Sequence, residues 1–180
     1  ARKKVIQQMV NTNPVVKQYK ISYYLRGGKN AAGNPTVCGT QKIVLKKPVR
    51  KGYTFVGWYQ NNTTRITQIP ANSTQDYNLY ARWKKVTVKK TAVSKIKKAS
   101  ATSRKVTIKK VTGAKGYQIS YSTSASFKKS ATKTVYAKKN IYTIKKLKKN
   151  KKYYVRVRAY KLDSAKKKVY GKWSAKKRLK

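Results

Sequence analysis

The run Tyr153–Tyr160, YYVRVRAY, constrains this chain more than any other stretch. Tyr153, Val155, Val157 and Ala159 share one parity, and Tyr154, Arg156, Arg158 and Tyr160 share the other. Successive side chains of a strand point to opposite faces, so this alternation describes a half-buried β-strand with an apolar inner face and a cationic, aromatic outer one. Tyr19–Arg26 repeats it, with Tyr19, Ile21, Tyr23 and Leu25 opposed to Lys20, Ser22, Tyr24 and Arg26. The expectation is a mainly β protein whose exposed faces are positively charged.

Around these anchors the chain divides. Residues 1–18 set Val5, Ile6, Met9 and Val10 at helical spacing, and Pro14 ends any helix there. That segment reads as a short helix or as a linker from an upstream domain. Residues 19–86 form a first module with further strands at Lys42–Leu45, Tyr53–Tyr59, Ile66–Ile69 and Asn78–Trp83. Val86–Ala99, rich in Thr and Lys, is a connector or already the start of the next domain. Residues 90–180 form a second module with strands at Arg104–Lys109, Gly116–Ser122, Lys133–Tyr136, Ile141–Lys146, Tyr153–Lys161 and Lys168–Ser174. Several short strands separated by turn signals fit an antiparallel sandwich.

Charge decides the chemistry. Among 180 residues, 48 are Lys or Arg and 2 are acidic, a net charge of +46. Internal ion pairs are therefore few, and apolar packing must hold the fold against its own repulsion. The complementary partner is a polyanion. Lys outnumbers Arg by 39 to 9, which favours diffuse, salt-sensitive attraction over bidentate pockets.

The same counts argue against catalysis. Asp76 and Asp163 are the only acids and fall in different modules, so paired-carboxylate hydrolysis has no partner pair. No His stands ready to activate a Ser or Cys, and no phosphate-cradling GxxxxGK[ST] occurs. Cys38 is single and reads as a small buried or loop residue; no metal site and no cofactor are expected. Asp76 reads as a turn or cap residue and Asp163 as the shaper of the Lys161–Lys168 hairpin. No apolar run reaches the roughly 20 residues of a membrane-spanning helix. Ala1 in place of an initiator Met fits a mature form or a fragment.

The candidate binding residues are cations. Lys145, Lys146, Lys148, Lys149, Lys151 and Lys152 crowd one turn, and Lys166, Lys167 and Lys168 another. Lys109, Lys110, Lys138 and Lys139 occupy further connections, while Arg156 and Arg158 line the outer face of the anchoring strand. Tyr24, Tyr154 and Tyr160 interleave with these charges on outer-face positions, where they could stack on sugars or bases.

Two resemblances add to this reading. YKISYYLRGGKNAAGNPT, KPVRKGYTFVGWYQN and IPANSTQDYNLYARWKKV, within residues 19–86, resemble the InlB B-repeat, or Listeria–Bacteroides repeat, most specifically at GYTFVGWY and LYARW. VTIKKVTGAKGYQISYSTS, YTIKKLKKNKKYYVRVRAYK and VYGKWSAKK resemble a bacterial fibronectin type III domain. They imply a small β-grasp-like module followed by a fibronectin-III-like antiparallel β-sandwich, in a secreted or cell-surface protein of a Gram-positive bacterium. Leu147 and Tyr153 would form the tyrosine corner. Ile108 stands where that family often has Trp, with Tyr117 or Trp173 to fill the volume. The Lys145–Lys152 turn would lie at one pole of the sandwich, and Lys109–Lys115, Lys138-Lys139 and Lys161–Lys168 at the other.

The function expected is non-catalytic binding of anionic polymers by multivalent Lys electrostatics: wall teichoic acid, other anionic polysaccharides including host glycans, or an anionic cell surface. Two alternatives stand beside it. One is extracellular, non-specific nucleic-acid binding, although no base-reading motif is visible. The other is a purely structural spacer of an adhesin.

Overall fold

The computed structural model describes residues 17–179. The helix-or-linker expectation for the N-terminus falls almost entirely outside them, and the fold begins at β1.

The first module contains β1 (Tyr19–Tyr24), β2 (Val37–Cys38), β3 (Ile43–Val44), β4 (Tyr53–Gln60), β5 (Thr64–Ile66), β6 (Gln68–Ile69) and β7 (Tyr77–Lys85). Five of these make one sheet in the order β2-β1-β7-β4-β5, with β1 and β7 parallel at its centre. β3 and β6 form a separate ribbon. Its Leu45 and Ile69 join Ile21, Trp58, Leu79 and Ala81 in one buried cluster, so the ribbon supplies apolar cover for the sheet.

GYTFVGWY has a particular geometry. Phe55 and Trp58 have opposite parity and would fall on opposite faces of a regular strand. The β4–β7 register shifts between Phe55 and Gly57, leaving Val56 as the extra, exposed residue of a bulge. The shift returns both rings to the core face, where they meet edge to face at 5.4 Å. LYARW closes the module: Trp83 Nε1 donates to the Leu25 carbonyl at 2.9 Å. Gly28 lies flat against this indole, since a Cβ there would overlap the Trp83 ring.

The second module contains β8 (Val93–Ser100), β9 (Ser103–Ile108), β10 (Gly116–Ser122), β11 (Thr132–Ala137), β12 (Ile141–Ile144), β13 (Tyr153–Leu162), β14 (Lys168–Tyr170) and β15 (Lys177–Leu179). One sheet runs β12-β9-β8; the other runs β11-β10-β13-β14, with β15 also on β13. All its pairings are antiparallel. Three strands against four, with the fifth strand in sequence returning to the first sheet, is the fibronectin type III arrangement. Val106, Ile108, Ile119, Ile144, Val155 and Val157 fill the space between the sheets, each no more than 1% exposed.

Two expectations need correction. The later part of the Val86–Ala99 connector is strand β8, an edge strand whose outward lysines conceal its period. The strand read as Lys168–Ser174 stops at Tyr170, and the chain regains β13 only at Lys177. Between them, Ser174 holds register by accepting the Val157 N–H on its Oγ at 3.0 Å. Of the two rings offered to fill the volume beside Ile108, Tyr117 joins the core, at 3% exposed, and Trp173 packs on the outer face.

Candidate functional site

The tyrosine corner organises one pole. Tyr153 Oη accepts the Lys148 N–H at 3.2 Å, and Leu147 is buried. Lys146 and Asn150 take left-handed backbone conformations, each at φ 55°. Lys145, Lys146, Lys148, Lys149, Lys151 and Lys152 are all exposed on this folded loop. A cavity of about 350 Å³ opens beneath it, lined by Lys146, Lys148, Lys151, Tyr121, Tyr153 and Lys133. Lys133 was not among the residues expected to take part. Its signal is its parity with Val135 and Ala137, which places a lysine in an inward-facing row.

At the opposite pole, the β9–β10 and β11–β12 connections meet. Lys110, Lys138 and Lys139 line a second cavity, of about 570 Å³, together with Tyr117 and Asn140. Tyr117 Oη braces this pole by accepting the Val111 N–H at 3.0 Å. Lys109 is exposed beside it on the same connection.

Arg156 and Arg158 belong to a different structure. The Arg156 guanidinium lies 4.2 Å from the Phe127 ring and 4.5 Å from that of Trp173. Arg158 lies 4.1 Å from Tyr170 and 4.4 Å from Trp173, and its Nε donates to Gln118 Oε1 at 2.6 Å. Both are half-buried in a cation–π ladder. Burial first, and the neighbouring Arg158 second, lower the pKa of Arg156. The ladder continues into Tyr136, Tyr160 and Tyr170, where Lys168 Nζ sits 4.9 Å from the Tyr136 ring. Tyr160 is only 9% exposed, contrary to expectation, because these neighbours cover it. Burial, then the hydrogen bond with Tyr136, push the Tyr170 phenol up to about 12. Tyr24 is exposed as expected but stacks on Tyr80, with centroids 4.3 Å apart.

Lys166, Lys167 and Lys168 lie in the β13–β14 hairpin, exposed, but the hairpin's tip is a junction between modules. Asp163 accepts the Ala165 and Lys167 N–H groups on Oδ1, both at 2.9 Å, which shapes the turn as expected. Its Oδ2 accepts the N–H of Gly52, in the first module, at 2.9 Å. Ser164 donates its N–H to the Tyr53 carbonyl at 2.8 Å and exchanges hydrogen bonds with both Arg50 backbone groups. Gly52 has φ 79°, a left-handed conformation suited to glycine, and so turns its N–H toward the carboxylate. Asp163 is 4% exposed. Burial pushes its pKa up, but the three backbone donors and the Lys167 charge together outweigh that and leave it below the ordinary 3.8.

Asp76 is exposed at the other end of β7, accepting the Lys20 N–H at 2.7 Å where β1 begins to pair. At about 3.3 Å per residue, the nine residues of β7 separate it from the junction turn by about 30 Å. Cys38 is a buried free thiol, its pKa raised by burial and then by Asp76.

Residues 19–82 match the family model of the Listeria–Bacteroides repeat domain. No curated protein matches the chain. Among solved structures, the FN1–FN3 domains of chicken CNTN1 are similar at 14% identity and a TM-score of 0.45, over 88% of this chain and 62% of that one. The chain thus spans less than two thirds of that relative. Residues 19–82, about a third of the chain, are similar to the Listeria–Bacteroides repeat domain, and a β-sandwich with the fibronectin type III strand order follows them.

Proposed function

We propose that this chain is a non-catalytic, two-module segment of an extracellular adhesin-type protein that both spaces and grips. Domains of both kinds typify extracellular or cell-surface proteins, which supports the spacer role. The hydrogen-bonded junction at Asp163 and Ser164 supports it further, because it resists bending between the modules.

The gripping role is multivalent attraction to anionic polymers such as teichoic acid, sulfated or sialylated glycans, or an anionic cell surface. The observation that carries it is 48 cations set against 2 acids, with lysines exposed at both poles of the sandwich. One of those acids is consumed by the junction. Solubility alone does not require the loss of nearly every carboxylate. Such a surface attracts anions from about 8 Å away at physiological salt.

Retention on immobilised heparin, teichoic acid and duplex DNA at several salt concentrations tests this reading. Binding that weakens steeply with salt, for the first two at least as strongly as for DNA, supports it. Negligible retention at physiological salt leaves only the spacer. A marked preference for DNA at matched charge shifts the function to nucleic acid.

A further inference from the structure

The strand register places a lysine where a sandwich normally buries apolar side chains. Tyr121 on β10 faces Lys133 on β11 and Val155 on β13. Lys133 extends the inward row of Val135 and Ala137, both of which pack on the core. It lies one pair from the end of the β10–β11 ladder, where the sheets part, and is exposed there.

The β12–β13 loop closes over the same opening. Lys133, Lys146, Lys148 and Lys151 therefore surround the cavity of about 350 Å³, with Tyr121 and Tyr153 in its wall. That volume lies at the lower end of the range for small-ligand sites, about 300–1,000 Å³. None of the four ammonium groups has a hydrogen-bond or ion-pair acceptor among the described residues. Elsewhere Lys46 and Lys176 donate to the Ala32 and Ala125 carbonyls. The buried Leu147 and the Tyr153–Lys148 hydrogen bond hold the loop in place. Like charges are thus gathered around a preformed hollow with nothing among the described residues to neutralise them.

We infer that this end cavity binds a phosphate or sulfate ester carried on one sugar unit of an anionic polymer. The four lysines hold the oxyanion, and the sugar ring lies on Tyr121 and Tyr153. Compact ammonium charges suit a tetrahedral oxyanion, whereas a planar carboxylate is matched best by the fork of an arginine. The inference rests on the polymer-binding reading and names the group that reading would recognise first.

Titration calorimetry of the full chain at about 150 mM salt tests it, with long-range attraction largely screened. The probes are glucose 6-phosphate, glucose 6-sulfate and glucuronate. The variants are Lys133→Met/Lys151→Met and, as an equal-charge control on exposed lysines of the first module, Lys84→Met/Lys85→Met. Both esters should bind the wild type about tenfold more tightly than glucuronate, and the cavity variant should lose about tenfold while the control stays within about twofold. Preference for one ester identifies phosphate or sulfate as the natural group. Equal losses in the two variants, or no ester binding by a wild type that heparin retains, overturn the site and leave the polymer reading intact. A wild type that no polymer retains removes both.

Discussion

The Asp163 carboxylate reaches across the module boundary to accept the Gly52 N–H at 2.9 Å, so one of only two acids in the chain is spent on joining its halves. Asp163→Asn leaves none of the three backbone donors with a charged acceptor and at least one with no acceptor, because the amide nitrogen cannot accept. The expected cost is about 1–3 kcal/mol. It should be accompanied by greater bending between modules, read by small-angle scattering and by melting. An unchanged envelope and melting temperature would show that the linker alone sets the geometry.

The same group makes a pH prediction. The folded pKa of Asp163 lies below its ordinary 3.8, so its stabilisation is complete above that value and is lost as pH falls through the folded value. The difference in melting temperature between wild type and Asp163→Asn should therefore hold through the neutral range and narrow below about pH 3.8. A difference that shrank at alkaline pH instead would contradict the assignment.

Tyr153→Phe removes the hydroxyl that accepts the Lys148 N–H but keeps the ring. Denaturant unfolding should show a loss of about 1 kcal/mol confined to the sandwich. Amide exchange should quicken in the Lys145–Lys152 loop, because the corner holds that loop down. Exchange that stays slow would mean that Leu147 suffices.

Gly28→Ala tests the first module independently. The added methyl overlaps the Trp83 indole, whose Nε1 is fixed by the Leu25 carbonyl. Overpacking of this kind costs about 1–3 kcal/mol. Near-ultraviolet circular dichroism should lose tryptophan signal while the sandwich keeps its own transition.

Salt should stabilise the protein. A chain at +46 repels itself, and screening relieves that repulsion. Between about 50 and 500 mM sodium chloride the melting temperature should rise by about 3–5 °C. A flat profile would mean that the lysines lie too far apart to interact through water.

Some of the molecule is written plainly in its residues. The period-2 runs at Tyr19–Arg26 and Tyr153–Tyr160 give strands with the correct inner faces, since alternation on a pleated backbone is a local property. Exposure of the lysine loops follows as locally, because unpaired ammonium groups stay in water. What the sequence could not show is anything that depends on two segments meeting. Arg156 and Arg158 look like free surface charges until Phe127, Tyr170 and Trp173 are brought against them by strand pairing. β8 is concealed because an edge strand facing water carries lysines on one side, and its partner supplies the rest of the pattern.

By itself the sequence determined a cationic, mainly β chain with apolar strand faces, because hydropathy period and charge count belong to the residues alone. Only the tertiary structure decided that Lys133 joins three loop lysines around a cavity and that Asp163 fastens the second module to Gly52 of the first. Those contacts join residues 13 or more and 111 positions apart respectively. Register and docking, which depend on the whole packed chain, bring them together.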